Sequence, residues 1–513
     1  MRKVGKFCFK LFLSAVLLSL GFHGAAADAS RFETLNVGLP GDAIALDTMR
    51  AVDTMSFSVA GHISQSLVTV DGGTRELIPV LAERWEILDP QTYKFFLRQG
   101  VTFHNGEPFT AEDVVFSLTR AATDSIHAQS RGRFIDPDGF EIIDDHTVIV
   151  RTNGPVGGWL ETMKHPYAVM KNRRAVEEAG DDYFRNPVGT GPFRFRNWVR
   201  GERIELEAFD DYHGQKPNFR YLNFLVIPDN SSRVIALETG AVDMIYAVPP
   251  GDVERLNASP DTQVVIGQGL VMIYMGMNTQ RGPLSDPRVR EAIHHAINKE
   301  AYNLIVYQGF AVIPDGPLPP AAAYIPQGSQ RVPYDLERAR ELLQEAGYGD
   351  GFPLRLWVIN FQDRISGATV MQSMLAQIGI DVQIEVFEAG TFQERMRTGE
   401  HDLFIHTWGM QTNRDVGHFW LSLFHSNSAA TNMSLLNDEL IDELLDLSNA
   451  TLDTDARNVM FQQIWDRLGE LRPIIGLSIP SELYGGRAGL RGMENFFDGR
   501  INYLGNLQLY LQP

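Results

Sequence analysis

Histidines, carboxylates and a single cysteine are the residues here whose types could do chemistry. The 13 histidines include the adjacent pair His294 and His295. On a helix, neighbouring residues point about 100° apart, so this pair suits a shared metal poorly. His401 with His406, and His418 with His425, are spaced to line a cleft, or to sit as ordinary surface or strand histidines. Asp136-Pro-Asp-Gly139 has a calcium-like composition, but an EF-hand loop needs its glycine at the sixth position, so the segment reads as a turn. The carboxylates are numerous and none is singled out as an acid–base pair. The nucleophile elbow G-x-S-x-G, the P-loop, G-x-G-x-x-G and H-E-x-x-H are absent from the sequence. Nothing here requires catalysis, a cofactor or a metal, and the expectation is a protein that is not an enzyme. A secreted hydrolase on an α/β scaffold is the alternative from a different class.

The cysteine is Cys8, within a segment of another kind. Arg2, Lys3, Lys6 and Lys10 precede a short apolar run from Leu11 to Phe22, and Ala25-Ala-Ala27 follows. That order reads as a cleavable secretory signal over 1–27. The apolar run is shorter than the ~20 residues needed to span a bilayer. Cys8 lies before the apolar run, so it cannot serve as a lipoprotein cysteine. The expected destination is the periplasm, with no insertion of the mature chain into the membrane. The mature protein is expected to carry no thiol, hence no disulfide and no cysteine-ligated metal. Thiol alkylation followed by mass spectrometry of periplasmic protein checks this. A modified cysteine would mean that the leader is retained.

The elements that must position any site alternate between strands and amphipathic helices. Ile204, Leu206 and Ala208 alternate with Glu205 and Glu207, as in a half-buried strand. Leu222 to Ile227 is a continuous apolar run stopped by Pro228, and Asn230 opens a helix that ends by Gly240. Asp286-Pro287 reads as an N-cap and first turn, with Val289, Ala292, Ile293, Ala296 and Ile297 on one face. From about 366 to 408 the pattern is helix, strand, helix, strand. The first helix stops at Gly379, Ile380 to Val386 alternates, Thr391-Phe-Gln-Glu394 reads as a capping box, and Asp402 to Trp408 is a strand. Such alternation implies α/β architecture with crossover connections. Further helices carry Leu440 to Leu445 and Met460 to Leu468, and Pro473 to Pro480 is a last apolar strand.

Length and composition bound the class. The chain has 513 residues, 44% apolar, 21% charged and 10% aromatic, with net charge −19. That is globular composition for two to four domains, and it excludes disordered, collagen-like and coiled-coil classes. The acidic balance argues against a nucleic-acid partner and against docking on anionic membrane.

Three stretches together carry a resemblance. The first is Phe103-His-Asn-Gly-Glu-Pro-Phe-Thr-Ala-Glu-Asp-Val-Val-Phe-Ser-Leu118, preceded by Trp85, Tyr93 and Leu97-Arg98. The second is Asn186-Pro-Val-Gly-Thr-Gly-Pro-Phe-Arg-Phe195. The third is Met277-Asn-Thr279 with Asp286-Pro-Arg-Val-Arg-Glu-Ala-Ile293 and Ala296-Ile-Asn-Lys299. In this order, behind a signal peptide, they resemble the extracellular solute-binding proteins of peptide, nickel-chelate and opine ABC importers. Locally the first two read as scaffold: a turn at Asn105-Gly106, a helix capped by Thr110 with Asp113, and a tight turn at Gly189-Thr-Gly-Pro192.

The resemblance implies a two-lobe periplasmic-binding-protein fold of type II, cluster C, with an extra domain in the first lobe. The first lobe would hold 28–275 and 480–513, with 67–188 as the extra domain, and the second 276–479. Leu270 to Tyr274 and Ile474 to Ile479 fall where hinge crossings should be. The implied protein is a monomer that traps a solute by hinge closure and hands it to an inner-membrane ABC permease. Di- or oligopeptides are the expected solute. A nickel chelate, an opine or another small amphiphile is the alternative, and coupling to a chemoreceptor is a further one.

The ligand segment is Trp408-Gly-Met-Gln-Thr-Asn-Arg-Asp415. In peptide-binding members a Trp-bearing strand end leads to an aspartate that pairs with the peptide ammonium, and Trp408, Gly409 and Asp415 resemble that arrangement. A loop at the carboxyl end of an α/β strand is where such folds bind ligands. An aromatic there supplies a stacking wall. The chain departs from the usual Asp-Pro-Asp, reading Asp415-Val-Gly417. Met55 is a first-lobe candidate or a core methionine. Arg364 is a candidate for a ligand carboxylate. Arg131 and Arg133 are candidates in the extra domain, or belong to a solvated basic loop.

Overall fold

The computed structural model of the protein describes residues 33–493, other than 52, 71–75, 129–131, 411–413 and 429–430, together with 510 and 511. The leader and Arg131 lie outside the described residues.

Alternation at 203–208 forms the strand Arg203–Ala208, and the apolar run that follows forms Tyr221–Val226. Both belong to a seven-stranded sheet in the order Thr262–Gly267, Glu482–Arg487, Met244–Tyr246, Thr34–Leu39, Tyr221–Val226, Arg203–Ala208, Phe193–Val199. A six-stranded sheet runs Ala311–Val312, Ile474–Pro480, Val271–Met277, Leu403–Gly409, Phe352–Ile359, Ile380–Phe387. Phe352–Ile359 is parallel to both Leu403–Gly409 and Ile380–Phe387, as the helix–strand alternation requires. The strand Glu482–Arg487 corrects the expectation that Pro473 to Pro480 is the last one. It returns the chain to the seven-stranded sheet. Each of these sheets carries apolar side chains on both faces, with helices packed against them. The result is the two-lobe α/β fold. The extra domain is a four-stranded antiparallel sheet, Ala82–Asp89, Thr92–Leu97, Thr147–Thr152, Ile135–Asp144, with its own core under the helix Ala111–Thr123.

Among the described residues the chain passes between the two large sheets twice, from Gly267 to Val271 and from Pro480 to Glu482. The crossings touch. A Cβ added to Gly269 would stand 1.9 Å from the Pro480 carbonyl oxygen, so only glycine fits there. Beside them Ala311–Val312 pairs with Ile479 and Pro480, and Ser481 N–H donates to the Phe310 carbonyl at 3.0 Å. Phe310 packs against the first lobe's core.

Local signals held at most caps. Thr110 and Asp113 form the capping box of Ala111–Thr123, and Asp286 caps Pro287–Ala296. The Thr391 box is corrected. The helix Ala389–Met396 begins after Glu388, so Thr391 lies inside it. Burial of Phe392 and Met396 sets that helix in place, and the Thr-Glu pattern does not define its start.

The resemblance motifs pack on one another and on the core. His104 N–H donates to the Gly189 carbonyl at 2.9 Å, and its ring bridges Gly189 N–H and the Gly191 carbonyl. Accepting at Nδ1 and donating at Nε2 requires a neutral ring, in line with burial lowering it to about 4. A Cβ at Gly189 would meet the Ile63 carbonyl oxygen at 2.0 Å. Asn278 donates from its amide to the Gly399 and His401 carbonyls, and buried Arg290 to the carbonyls of Leu471, Leu284 and Ser285. These residues hold backbone in place and form scaffold, as the local reading expected of the first two motifs.

Candidate functional site

The registers bring the candidates to one edge. Leu403–Gly409 and Phe352–Ile359 run parallel, so Trp408, Gly409 and the residues after Ile359 lie at the same end of the six-stranded sheet. Val271 pairs with Gly409 there, and Pro480 ends its strand there, so both crossings leave from the same edge. In the seven-stranded sheet Gly267 pairs with Glu482, beside the carboxyl ends of Met244–Tyr246 and Thr34–Leu39. The two lobes therefore face each other across their carboxyl edges, where α/β folds place ligands.

Trp408 and Gly409 are half-buried, and Trp408 packs in part on the second lobe's core. Asp415 is 6% exposed and caps the helix Val416–Phe424, accepting from His418 N–H at 2.8 Å. Its other oxygen lies 2.6 Å from Arg457 Nη2, on the helix Thr454–Leu471. Both side chains are nearly buried, and the contact is one of charge, since Nη2 is not aligned for a hydrogen bond. Arg457 Nε donates to the Ser448 carbonyl at 2.9 Å, and its guanidinium lies over Phe461. Asp415 thus faces a cation of its own lobe.

The extra domain closes directly onto this corner. Glu161 accepts from Arg414 N–H at 3.0 Å. A Cβ on Gly158 would stand 2.8 Å from Asp415 Cβ, and one on Gly157 would stand 2.5 Å from Arg457 Nη2. Gly158 also has φ +67, in the left-handed region. Burial raises the Glu161 carboxyl and the Asp415 charge adds to that, while the Arg414 N–H pulls the other way. The arrangement predicts opposite results from two variants. Glu161→Gln keeps an acceptor for Arg414 and is expected to leave the lobes closed. Glu161→Ala removes it and is expected to enlarge the radius of gyration in small-angle scattering.

Arg364 sits in the first turn of the helix Gln362–Ala376, pairing with Asp363 and donating to the Tyr307 hydroxyl at 3.3 Å. It acts on His406, which burial lowers to about 4. Met55 lies in the helix Thr54–Ala60, half-buried against the first lobe's core. Arg133 is exposed, with its guanidinium 4.8 Å from the Phe134 ring centre. It lines a cavity of about 310 Å³ between the extra domain and the second lobe. His418 and His425 line that cavity too, so this pair borders a gap between lobes. His401 does not: it is fully buried, bonded through Nε2 to the Met433 carbonyl. Asp136-Pro-Asp-Gly139 forms an irregularity in the strand Ile135–Asp144, and among the described residues no cluster is suited to a metal ion. Arg457, Gly157, Gly158 and Glu161 were not anticipated. The Gly157-Gly158 pair after Pro155 was the visible signal, since adjacent glycines mark close backbone approach.

Residues 76–430 match the bacterial extracellular solute-binding proteins, family 5, middle region. The dipeptide-binding protein of Escherichia coli K12 is 31% identical over 427 residues, 77% of this chain and 80% of that protein. A glutathione-binding protein of Salmonella typhi is 32% identical, over 73% of each chain. Among solved structures, the periplasmic binding protein DppA of Helicobacter pylori with the peptide STSA superposes with TM-score 0.80 at 28% identity, covering 94% of this chain and 99% of that one. AgaA of A. tumefaciens R10 with agropinic acid gives 0.78 at 28%, with the same coverage. The resemblance seen in the three motifs extends through the fold: this chain belongs to the bacterial extracellular solute-binding proteins of family 5.

Proposed function

We propose that this protein is the periplasmic receptor of an ABC importer, capturing di- or oligopeptides between its lobes and presenting the closed complex to an inner-membrane permease. On this reading 28–275 with 480–513 is the first lobe, 67–188 its extra domain and 276–479 the second lobe. The observation that carries it is that Trp408 and Gly409 end their strand at the edge of both crossings, while Asp415, in the segment that follows, meets Gly158 of the extra domain. An aromatic wall and a carboxylate there suit a peptide backbone and its amino terminus. Relatives named for dipeptides and glutathione support the solute class. Native mass spectrometry of protein taken from the periplasm tests it: a retained mass should be that of a peptide.

Asp415→Asn then tests the terminus. Asparagine keeps the helix cap but leaves Arg457 and a ligand ammonium without their carboxylate. The expected cost is roughly 2–4 kcal/mol for a free-amine peptide, about 30- to 700-fold in dissociation constant, and little for its acetylated form. Equal losses for both forms in calorimetry would place Asp415's role in holding Arg457.

One observation favours a second reading. Asp415 already faces Arg457 at 2.6 Å, so this corner suits a solute that brings its own carboxylate to Arg457. Opines are such solutes, and a structural relative was solved with agropinic acid. A retained mass matching an opine would select it.

A further inference from the structure

Arg233 lies in the helix Asn230–Glu238 and is 1% exposed. Its Nε donates to the Tyr246 carbonyl at 3.0 Å, and its Nη1 to the Ile227 and Pro228 carbonyls at 2.9 and 3.2 Å. Its Nη2 donates to the Ala247 carbonyl at 2.9 Å and to Asn230 Oδ1 at 2.7 Å. A guanidinium has five N–H groups, and these five bonds engage them all. Gly38 makes room for the stem: a Cβ there would stand 3.4 Å from Arg233 Cγ.

The bonds gather the ends of two strands at the first lobe's carboxyl edge. Ile227 follows Tyr221–Val226, and its N–H donates to the Leu39 carbonyl at 2.8 Å. Ala247 follows Met244–Tyr246, and the N–H of Val248 donates at 3.0 Å to the carbonyl of Leu483, just past the second crossing. Further on, a Cβ at Gly251 would stand 3.6 Å from Gln308 Oε1 of the second lobe. The segment 246–251 therefore runs from the sheet edge towards the second lobe.

Ala247 is exposed and has φ +59. Few residues other than glycine take that conformation, and asparagine and aspartate lead among them. Gln308 and Arg472 share it as left-handed caps of helices. Ala247 instead ends a strand. Strain of this kind persists where neighbours over-determine it, and it gathers at ligand clamps. Arg233 is the neighbour that holds it. In extended backbone successive carbonyls point to opposite sides, out of reach of one guanidinium. The left-handed turn brings the carbonyls of Tyr246 and Ala247 to the same side. The N–H of Ala247 is trans to the Tyr246 carbonyl across a planar peptide, so it points away from Arg233. It has no hydrogen-bond partner among the described residues.

We infer that Arg233 is a positioning residue for capture, holding Ala247 left-handed so that its N–H donates to a backbone carbonyl oxygen of a peptide solute. The inference rests on the peptide reading above. It gives the first lobe a contact that is blind to side chains, to match the second lobe's corner at Trp408 and Asp415.

Dialanine and trialanine are the probes, titrated by calorimetry into wild type, Arg233→Lys, Ala247→Gly and the double variant, with thermal melting alongside. Lysine keeps the charge but lacks the planar fork that bridges two strand ends. Arg233→Lys is expected to bind about tenfold more weakly or worse, and to melt lower. Ala247→Gly should stay within about threefold of wild type, because Arg233 still sets the conformation. In the double variant glycine adopts positive φ without strain, so affinity should recover by about threefold or more over Arg233→Lys while melting does not. An arginine that only stabilised the lobe would move melting and leave affinity alone. Ala247→Val keeps Arg233 but disfavours the left-handed form, and is expected to weaken both probes by about tenfold. It decides the matter even if Arg233→Lys does not fold. Unchanged affinity in Ala247→Val or in folded Arg233→Lys would overturn the inference, as would a double variant no tighter than Arg233→Lys. If neither probe binds wild type, the peptide reading itself fails and the inference falls with it.

Discussion

Asp47→Ala is expected to destabilise the protein by roughly 3–5 kcal/mol, the cost of stranding a buried charge. Asp47 is 1% exposed and lies within 2.8 Å of Arg120 and 3.4 Å of Lys171, themselves 10% and 0% exposed. Arg120 comes from the extra domain's helix, Lys171 from the segment that returns from that domain, and Asp47 from the first lobe. Removing the carboxylate leaves two cations facing each other and also removes the bond to Met49 N–H. Denaturant midpoints measure the loss. Introduced into a Lys171→Met background, the same substitution should cost less, since one stranded cation is gone. The pH dependence has a definite sign. Burial pushes the Asp47 carboxyl up, but Lys171 and then Arg120 outweigh it and hold it below the ordinary 3.8. A lowered carboxyl adds stability that is complete above its ordinary value and lost as pH falls through the lowered one. The gap between wild type and variant should be constant near neutrality and shrink below that ordinary value. A gap that widens on acidification would mean that Asp47 is not the cluster's anion.

Gly158→Ala is the second substitution with a large expected effect, and it acts on closure while leaving folding largely intact. The new methyl would meet Asp415 Cβ at 2.8 Å and sit at φ +67. Overpacking of this kind costs roughly 1–3 kcal/mol. Charged to the closed state alone, that is about 5- to 150-fold in ligand affinity. Gly154→Ala supplies the control. It has φ +89 but open space around it, so it carries the backbone strain without the contact. Calorimetry with one peptide on both variants separates the effects. Equal affinities for the two would show that the lobes do not meet at Gly158 when ligand is bound.

What could be seen in the sequence follows from the range of the interaction. Ile380, Val382 and Ile384 alternate with polar residues because that face of the strand packs on the second lobe's core, and Asp286 precedes its helix because a carboxylate caps the next N–H groups. Both causes act within a few residues, so both are written in the local pattern. The three motifs are legible for a different reason. His104, Gly189 and Gly191 hold one another in place, and Asn278 and Arg290 each bond several carbonyls, so their identities are tightly constrained. The candidate corner is less legible. Trp408, Gly409 and Asp415 could be proposed from a strand followed by a loop, but Asp415's nearest cation could not. Arg457 lies on another helix, and Glu161 meets Arg414 across 253 residues. No periodicity encodes such pairs. Thr391 shows the reverse failure, a strong local signal overruled because Phe392 and Met396 are buried in a register that starts the helix at Ala389.

The contact between Gly269 and Pro480 bears on how the lobes travel. Two connections lying apart would let one lobe twist, slide and tilt against the other, and each freedom would have to be frozen on capture. Here the connections are in backbone contact and bend together, while the Phe310 segment braces them from the side. The relative motion is thereby reduced to rotation about one short axis, much as a door differs from a loose panel. On the proposed reading, a solute at the Trp408 edge would lie next to that axis, where a small angular change brings the Gly158 corner home. Little conformational entropy remains to be lost at capture, so the energy of contact goes chiefly into holding the solute.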